Sequence, residues 1–249
     1  MRNRSDVLLL QTADAQQYLP MLQATAVVNQ AYCARQCLSY SQFIGIKRGF
    51  FPWHACFNRI VLIKEMIDVG FRGWVFYLDA DAFMVDLSYD VRRLISEIAK
   101  PIIMTPGGLT GEHWDVNDGV FLVDLSVEAV QELMLAWHTD FMATSHEALR
   151  AAVEWESVPS DQPRLHRILR KSERFQSCLG MVDRYLFDHD KSSFVRQILR
   201  ANVPTWEARL ARVRKETKDI LRAAAASDSR LFSEASHDVS LPPESAIAF

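Results

Sequence analysis

The stretch Trp74–Leu87, WVFYLDADAFMVDL, decides the fold of this chain. Five apolar or aromatic residues run from Trp74 to Leu78. Such a run is typical of a strand that is covered on both faces in a mostly parallel sheet. Two acids, Asp79 and Asp81, follow where this strand ends. In an open α/β sheet, ligands bind beyond the carboxyl ends of the strands, so the pair lies at the expected ligand edge.

The chain before this strand alternates between short apolar runs and helical patterns. Val7–Thr12 predicts a buried strand, and Cys37–Gly45 predicts a second, short strand that a glycine closes. Between them, Leu19–Tyr32 has a helical rhythm that leads into Ala31–Arg35. Pro52–Val69 has apolar residues three and four apart, which predicts an amphipathic helix with proline in its first turn.

The chain after Leu87 continues this alternation. Ser88 is a suitable N-cap for a helix over Tyr89–Ala99, and Pro101–Thr105 and Gly119–Leu125 predict further strands. Further helices are predicted over Val127–Phe141 and Asp161–Lys171. Strands separated by helices of this length imply an α/β fold with a mostly parallel, doubly wound central sheet flanked by helices.

The pattern divides the chain into three parts. We expect residues 1–203 to form a single domain. Residues 204–226 predict a C-terminal amphipathic helix, because Trp206, Leu210 and Val213 recur at helical spacing. The outer face of this helix is expected to be basic and to contain Arg209, Arg212, Arg214, Lys215 and Lys218. Residues 227–249 lack periodicity and are rich in Ser, Pro and acids, which predicts a mobile, disordered tail.

Composition excludes several classes of protein. The 249 residues include 49% hydrophobic and 24% charged residues, enough for a full core. With 28 Lys+Arg against 31 Asp+Glu the net charge is −3, which argues against nucleic-acid binding through bulk positive charge. Four irregularly spaced cysteines do not form a disulfide framework or a paired zinc site. The apolar run Val7–Leu10 is too short for a signal peptide or a membrane span, so we expect a cytoplasmic protein with at most peripheral membrane contact.

The acid pair after the central strand predicts a metal site. Two carboxylates crowded at positions i and i+2 repel each other unless a cation neutralises them, and hard oxygen ligands favour Mg²⁺ or Mn²⁺. A divalent ion held by Asp79 and Asp81 would keep open positions for phosphate oxygens. The alternative is structural, since two aspartates can also form a turn or cap a helix.

The segment Asp79-Ala80-Asp81 resembles the DXD motif of the GT-A glycosyltransferases. Its flanks are most similar to the galactosyl/mannosyl transferase type, which is related to plant xylosyltransferases and yeast mannosyltransferases. The supporting matches, spread over about residues 5–200, are Gln11-Thr12 at a strand end, Asn29 and Tyr32 before Tyr40, a helix containing Trp53, Asn117-Asp118-Gly119-Val120-Phe121-Leu122-Val123, and Ser160-Asp161-Gln162. The order and spacing of these matches carry the resemblance.

The resemblance implies a GT-A-like, Rossmann-like domain that transfers a hexose from a UDP- or GDP-sugar to an acceptor hydroxyl with Mn²⁺ or Mg²⁺. A glycan, a lipid-linked saccharide, a protein or a small molecule could serve as acceptor. Asp81 is implied as the main metal ligand, and Asp79 either shares the metal or holds the ribose. A cation that bridges the two phosphates stabilises the charge on the leaving diphosphate.

A third metal ligand is also implied, from the C-terminal part of the domain. His189 is the best-placed candidate, because it precedes Phe194–Arg200, for which we expect a closing helix. The family's histidine is followed closely by glycine, whereas Asp190 and Lys191 follow His189 here. A solvated turn histidine is therefore an equal alternative, and Asp188 or Asp190 could supply the oxygen ligand instead.

Further residues are expected around the nucleotide. Arg59 and Lys191 are candidate phosphate clamps, because a guanidinium or an ammonium group can neutralise a diphosphate, although each can also be an ordinary solvated cation. Thr12, Ala13 and Asp14 lie in the first turn after a strand, where the base and ribose should bind. Asp14 is equally suited to be a helix N-cap.

The donor sugar and the acceptor are expected to face Asn117, Asp118 and Gly119, since glycine allows close approach of the backbone and the polar side chains can bind hydroxyls. Asp161 is the candidate base if the reaction inverts. If it retains, as the nearest families suggest, the leaving phosphate takes the proton, and Gln162 or Asp161 steadies the cation. Trp114, in the loop before this segment, is a possible sugar platform.

Two other functions fit the same motif. A phosphatase of the haloacid dehalogenase type also has D-x-D after an apolar strand, uses Mg²⁺, and has a later acid pair such as Asp183 and Asp188. That motif normally lies on the first strand, however, and Asp79 comes late in this chain. A non-catalytic sugar-nucleotide-binding protein on the same fold is the second alternative.

Overall fold

A six-stranded mixed sheet is the centre of the structure, a computed structural model that describes residues 7–237, with side chains described through residue 228. The strands are β1 Val7–Ala13, β2 Ser39–Ile44, β3 Trp74–Leu78, β4 Ala82–Met84, β5 Ile102–Pro106, β6 Val116–Asp124, β7 Leu179–Met181, β8 Phe187–His189 and β9 Val195–Gln197. The helices are α1 Leu19–Gln36, α2 Asn58–Asp68, α3 Val91–Ile98, α4 Glu128–Met142, α5 His146–Ala151, α6 Asp161–Leu169, α7 Glu173–Ser177 and α8 Trp206–His237. A 3₁₀ helix, Pro52–Phe57, leads into α2.

The strand order in the large sheet is β2-β1-β3-β6-β5-β7. Within the described residues, five of these six strands run in one direction and β6 alone is reversed, because β6 pairs antiparallel with both β3 and β5. The α/β fold class predicted from the sequence, with a mostly parallel central sheet flanked by helices, is therefore confirmed. A second sheet, β4-β9-β8, lies next to it.

The reversal of β6 decides which residues meet at the ligand edge. Leu78, the last residue of β3, pairs with Gln11 of β1 on one side and with Val120 of β6 on the other. The beginning of β6 therefore lies beside the carboxyl ends of β1 and β3. The sequence pattern gave no direction for this strand.

Strand β3 separates two hydrophobic cores, as its uninterrupted apolar sequence predicts. Trp74, Phe76 and Leu78 face one core, which includes residues of α1, α3, α8 and the small sheet. Val75 and Tyr77 face the other, which includes residues of α2, α4 and α6. All five side chains are buried, so the acid pair that follows them emerges from the middle of the domain.

Several predicted elements differ from the observed ones. The helix expected from Pro52 begins as a 3₁₀ helix and becomes α-helical only at Asn58. Asp90, not Ser88, caps α3, since its side chain accepts a hydrogen bond from the Arg92 amide.

The prediction of a closing helix over Phe194–Arg200 is wrong. Residues Val195–Gln197 form β9 instead, paired with β4 and β8. The partner strands supply backbone hydrogen bonds that local sequence periodicity does not reveal.

The C-terminal helix α8 packs on α1 as part of the domain. Val213 is fully buried in the core that α1 also lines, and Ile220, Leu221 and Ala224 pack against the same core. The helix continues to His237, beyond the predicted end at residue 226, and residues 238–249 of the expected tail lie outside the described residues. Among the helices described, none has the length and apolarity needed to cross a membrane.

The basic residues of α8 do not all face outward, as the sequence pattern had suggested. Arg209 is 3% exposed and points toward the end of β3, where its Nη1 lies 3.5 Å from Asp81 Oδ2. Arg212 pairs with Glu216 and Asp190. The expectation of a uniformly solvated basic face is therefore wrong, because this helix also supplies charge to the interior.

Val213→Ala tests whether α8 is an integral part of the domain. The substitution removes buried methyl groups and leaves a cavity, so we expect the free energy of unfolding to fall by about 2 kcal/mol. Urea denaturation measures this loss. Lys218→Ala, on the exposed face of the same helix, is the matched control and should change the free energy by less than about 0.5 kcal/mol. Equal effects of the two substitutions would contradict the packing of α8.

Candidate functional site

A cavity of about 350 Å³ opens beyond the carboxyl ends of β1 and β3. Its walls include the end of β1, the acid pair after β3, the 3₁₀ helix, and the segment that joins β9 to α8. The predicted site residues that line it are Thr12, Ala13, Asp14, Arg59, Asp79, Ala80 and Asp81. The structure therefore brings together most of the residues expected to hold the nucleotide and the metal.

Buried amide side chains hold the backbone of the acid loop. Gln11 Nε2 donates to the carbonyls of Asp79 (3.1 Å) and Ala82 (3.3 Å). Asn29 Nδ2 donates to the carbonyl of Ala82 (3.1 Å) and to Gln11 Oε1 (2.9 Å), and Asn29 Oδ1 accepts from the Met84 amide (2.9 Å). Thr25 and Tyr40 complete the network. The sequence matches at Gln11, Asn29 and Tyr40 thus have a structural reason, because these residues fix the loop between β3 and β4.

Arg59 is the second residue of α2, and its guanidinium contacts three carboxylates. It is 4% exposed, and its guanidinium lies 2.5 Å from Asp79 Oδ1, 3.3 Å from Asp118 Oδ1 and 3.0 Å from Asp161 Oδ2. The same group lies 4.5 Å from the centre of the Tyr77 ring. Arg59 lines the cavity, but its charge is already balanced by protein carboxylates, which makes it a poorer phosphate clamp than its position in the sequence suggested.

Three carboxyl groups at this edge of the sheet have raised pKa values. Burial raises the pKa of Asp79 to about 7, an effect that Arg59 opposes and Asp81 reinforces. Burial also raises the pKa of Asp81, and burial together with Asp161 raises that of Asp118. Among the described residues these four acids contact two arginines, Arg59 and Arg209. The raised pKa values of Asp79, Asp81 and Asp118 mean that the two arginines do not fully stabilise the charged carboxylates, which a bound cation would stabilise further.

Gln197, the last residue of β9, lies between the two acids of the DXD-like segment. Its Nε2 is 3.2 Å from Asp79 Oδ2 and 3.0 Å from Asp81 Oδ1. Its Oε1 is buried and has no hydrogen-bond partner among the described residues. Gly119 makes this approach possible, because a Cβ at residue 119 would lie 2.8 Å from Gln197 Oε1 and 3.0 Å from Asp79 Oδ2.

Two arginines and a tyrosine form the wall next to Asp81. The Tyr18 hydroxyl accepts hydrogen bonds from Arg200 Nη2 and from Arg209 Nη2, each at 2.8 Å. Arg209 also lies 5.3 Å from the Trp206 ring centre. The wall thus presents two guanidinium groups to the cavity, one of them buried.

Aromatic rings line a further part of the cavity, next to Arg200. Trp53 and Trp155 meet edge to face with their ring centres 5.6 Å apart, and Arg200 lies 5.6 Å from the Trp155 ring. Trp155 is 48% exposed and lines the cavity together with Trp53. Trp114, the platform suggested by the sequence, instead packs under Arg170 and against His166 at a separate cavity.

Asp14 is a structural cap. Its carboxylate accepts hydrogen bonds from the amides of Gln16 (2.7 Å), Gln17 (2.5 Å) and Tyr18 (2.8 Å). The carboxylate is therefore occupied by the turn that begins α1, and this turn fixes the shape of the cavity wall.

Asn117, Asp118, Gly119, Asp161 and Gln162 do not line the cavity. Asp118 and Asp161 lie behind Arg59, and Asn117 Oδ1 accepts from the Gly119 amide (2.6 Å). Gln162 is half-buried in the first turn of α6. The predicted catalytic residues therefore lie next to the cavity. The Arg59 guanidinium separates the carboxylates of Asp118 and Asp161 from it.

His189 and Lys191 are not brought to the acid pair. His189 Nδ1 accepts from the Lys191 amide (3.1 Å) and lies 3.2 Å from Asp190 Oδ1, while its ring packs on Tyr185. Asp190 pairs with Arg212. Among the side chains described, those of residues 7–228, no group of three or more His, Cys, Asp or Glu is placed to hold a metal ion.

The structure reveals site residues that the sequence analysis missed. Gln197 was hidden because its segment was interpreted as a helix. Arg209 shares a helical face with Trp206, Leu210 and Val213, and this spacing of three and four residues could have shown that it points inward. Trp155 and Tyr18 lie in segments without a motif, so no sequence signal marked them.

No protein-family model and no curated protein sequence matches the chain. Among solved structures, a glycosyltransferase involved in the glycosylation of the major capsid of PBCV-1 is similar over 84% of this chain and 98% of its own, with a TM-score of 0.58 and 14% identity. This similarity shows the fold. The domain therefore has the GT-A-like, Rossmann-like α/β fold, with a cavity at the ligand edge of its sheet.

More distant similarities are found to two further transferases. A Drosophila β-1,4-galactosyltransferase 7 mutant, in complex with manganese, UDP-Gal and xylobiose, gives a TM-score of 0.41 and 12% identity over 79% of this chain and 72% of its own. A putative glucose-1-phosphate thymidylyltransferase from Bacillus anthracis, in complex with a sucrose, gives 0.44 and 8% over 84% and 95%. The assignment of the fold rests on the PBCV-1 enzyme.

Arg59→Met should strongly destabilise the protein. It leaves three carboxylates, two of them buried, without their shared cation, so we expect the free energy of unfolding at pH 7.5 to fall by about 3–5 kcal/mol. The loss should be smaller at pH 5, because protonation of Asp79 and Asp118, whose pKa values are raised, removes part of the uncompensated charge. Urea denaturation at the two pH values measures both effects. Arg72→Met, at an exposed arginine, is the control, and a pH-independent loss for Arg59→Met would contradict this role.

Asp188 should make the metal-free protein less stable as the pH rises. Burial raises the pKa of Asp188 to about 7 from 3.8. Because the folded-state pKa lies above the unfolded one, stability is lost between about pH 4 and pH 7. In EDTA, Asp188→Asn should match wild type near pH 4 and exceed it at pH 8 by at least about 1.4 kcal/mol, the equivalent of one pKa unit.

Asparagine suits this position because residue 188 has a φ of 73°. Thermal and urea unfolding across the pH range provide the measurement. If the free energies of unfolding of wild type and Asp188→Asn changed in parallel with pH, protonation of Asp188 would not be linked to folding.

Proposed function

We propose that this protein is a metal-dependent glycosyltransferase that moves a hexose from a nucleoside diphosphate sugar to an acceptor hydroxyl. The observation that carries the proposal is the acid pair Asp79 and Asp81, which lines a cavity at the carboxyl ends of β1 and β3. Arginines on the adjacent wall give that cavity affinity for an anion, and the fold is shared with a solved glycosyltransferase.

The residues present fit a hard divalent cation such as Mn²⁺ or Mg²⁺. Asp79 and Asp81 would hold it, since both offer carboxylate oxygens whose charged forms the arginines do not fully stabilise. The Gln197 amide lies beside both acids and, with its oxygen turned toward them, would add a neutral oxygen. A cation bound there would supply Lewis-acid stabilisation of the leaving diphosphate.

The chain's own cations would bind the diphosphate on its other side. Arg200 and Arg209 converge on the Tyr18 hydroxyl, next to Asp81. A guanidinium group offers several donors in a rigid plane, which suits phosphate oxygens. Thr12 and Ala13, on the wall fixed by the Asp14 cap, would then bound the space for the nucleoside.

We infer that the reaction retains the configuration of the sugar. Among the described residues that line the cavity, the carboxylates are those of Asp14, Asp79 and Asp81. Asp14 is used by the turn, and the other two would hold the cation. Asp161 and Asp118 are engaged by Arg59. No lining carboxylate is therefore available as the base that inversion requires, and the leaving phosphate would accept the acceptor's proton.

The exposed aromatic end of the cavity suits a carbohydrate acceptor. Trp53 and Trp155 present flat apolar faces next to the Arg200 guanidinium. Such rings stack on the C–H faces of sugars while polar groups bind the hydroxyls. A glycan or a lipid-linked saccharide therefore fits the mouth of the cavity better than a nucleic acid does.

The alternative functions are less well supported. For phosphoryl transfer through Asp79, Oδ2 would have to serve as both nucleophile and metal ligand, because Asp79 Oδ1 is held by Arg59 and lies 3.2 Å from the Tyr77 hydroxyl. Asp183 is used to accept from the Tyr185 amide. A sugar-nucleotide-binding protein without catalysis has the same cavity, and only an assay of transfer separates it from an enzyme.

Thermal shift with nucleotides tests the proposal directly. UDP or GDP should raise the melting temperature only when Mn²⁺ or Mg²⁺ is present, because a diphosphate needs the cation to approach the acid pair. Asp81→Ala should abolish the shift, whereas Asp68→Ala, at an exposed acid on α2, should preserve it. Equal stabilisation in EDTA would contradict a metal-dependent site.

Activity assays then separate the three functions. Slow, metal-dependent hydrolysis of a UDP- or GDP-sugar would indicate the transferase, and binding without hydrolysis or transfer would indicate the non-catalytic alternative. Metal-dependent turnover of p-nitrophenyl phosphate that Asp79→Asn abolishes would favour the phosphatase.

A further inference from the structure

The side chain of Gln197 combines two features that rarely occur together. It is 3% exposed, and its amide nitrogen bridges the carboxylates of Asp79 and Asp81. Its amide oxygen is equally buried but has no hydrogen-bond partner within the described residues. A buried carbonyl oxygen without a partner is unfavourable, and rotation of the amide would break no hydrogen bond to this oxygen.

Rotation of the amide exchanges its two ends. A primary amide carries an oxygen acceptor and an NH₂ donor at nearly equivalent positions, so a half-turn of the terminal bond places Oε1 where Nε2 now faces the acids. With two carboxylates alone, the NH₂ end is preferred because it donates to both. With a cation between the carboxylates, the oxygen end is preferred because it can ligate.

We propose that Gln197 Oε1 is the third protein ligand of the divalent cation, together with Asp79 and Asp81; this rests on the proposed metal-dependent function. The three side chains offer only hard oxygen atoms, the donor set that Mg²⁺ and Mn²⁺ favour over softer ions. A glutamine lies outside the residue types that sequence analysis searches for a metal ligand.

The position of Gln197 is fixed by the fold. Residue 197 pairs with Ala82 across the β4–β9 ladder, so its backbone is anchored directly beside the acid loop. Gly119 leaves room for the amide on the β6 side. His189, which the sequence had suggested, is instead occupied by Asp190 and the Lys191 amide. Asp188 Oδ2 accepts from Thr105 Oγ1 at 2.9 Å, whereas Asp188 Oδ1 is buried without a hydrogen-bond partner among the described residues. Gln197 is distinguished from Asp188 by its direct contact with both acids of the pair.

Mn²⁺ affinity of the full-length protein without nucleotide gives the first test. Titration followed by the electron paramagnetic resonance signal of free Mn²⁺ compares wild type with Gln197→Leu, which keeps the side-chain size and removes both polar ends. We expect the dissociation constant of Gln197→Leu to rise by at least about tenfold. If Gln197 only bridges the acids, removing it frees their oxygens, and the affinity would be unchanged or higher, which overturns the inference.

His189→Gln, on the neighbouring strand β8, is the matched control. It should leave the Mn²⁺ dissociation constant unchanged. A tenfold loss of affinity in His189→Gln, with none in Gln197→Leu, would overturn the inference in favour of the histidine.

A spectroscopic signature covers the case in which Gln197→Leu fails to fold. Electron spin echo envelope modulation of bound Mn²⁺ detects a directly coordinated imidazole nitrogen. We expect no such ¹⁴N modulation in wild type and its appearance in Gln197→His, because the substitution places a nitrogen ligand where the amide oxygen was. Modulation in wild type, or its absence in a Gln197→His protein that binds Mn²⁺, would overturn the inference.

These outcomes separate the ligand assignment from the proposed function. If wild type and Gln197→Leu bind Mn²⁺ equally and UDP or GDP still requires Mn²⁺, the assignment of Gln197 is wrong and the transferase proposal stands. If wild type binds no Mn²⁺, the assignment is overturned, and hydrolysis of a sugar nucleotide in EDTA decides whether a transferase proposal survives in metal-independent form.

Discussion

The shared guanidinium of Arg59 is the interaction on which the rest of the site depends. It contacts carboxylates from the end of β3, the start of β6 and the first turn of α6. Three acids that are remote in sequence, two of them buried, can lie together because a single delocalised cation with several donors lies between them. This arrangement ties the ligand edge of the sheet to the helices behind it, and it keeps Asp79 in place at the cavity wall.

The carboxylates that Arg59 does not neutralise determine which ligands the cavity suits. Arg209 lies close to one oxygen of Asp81, and Gln197 contributes only a neutral amide. Burial raises the pKa values of Asp79 and Asp81, which shows that the protein alone does not fully stabilise their charged forms. A site of this kind would stabilise a cation, and its arginines and aromatic rings would add affinity for the proposed anion and sugar. The combination supports the proposed use of a nucleoside diphosphate sugar.

The C-terminal third of the chain completes this site. Gln197 arrives on β9, Arg200 on the following loop, and Arg209 on α8. Helix α8 packs against α1 through Val213 and its apolar neighbours, so the same hydrophobic contact that secures the helix also places Arg209 beside Asp81. Stability of the domain and assembly of the cavity wall are therefore linked through one helix.

The sequence by itself determined the central strand, the α/β class and the acid pair at the strand's end, because these depend on local hydrophobic runs and on where they stop. It also marked Gln11, Asn29 and Tyr40, whose side chains hold the acid loop. Only the tertiary structure decided that β6 is reversed, that Phe194–Arg200 contains a strand, and that Gln197 and Arg209 replace His189 beside the acids. The reason is physical: strand direction, strand pairing and the balance of buried charge depend on partners distant in the chain, which no local periodicity records.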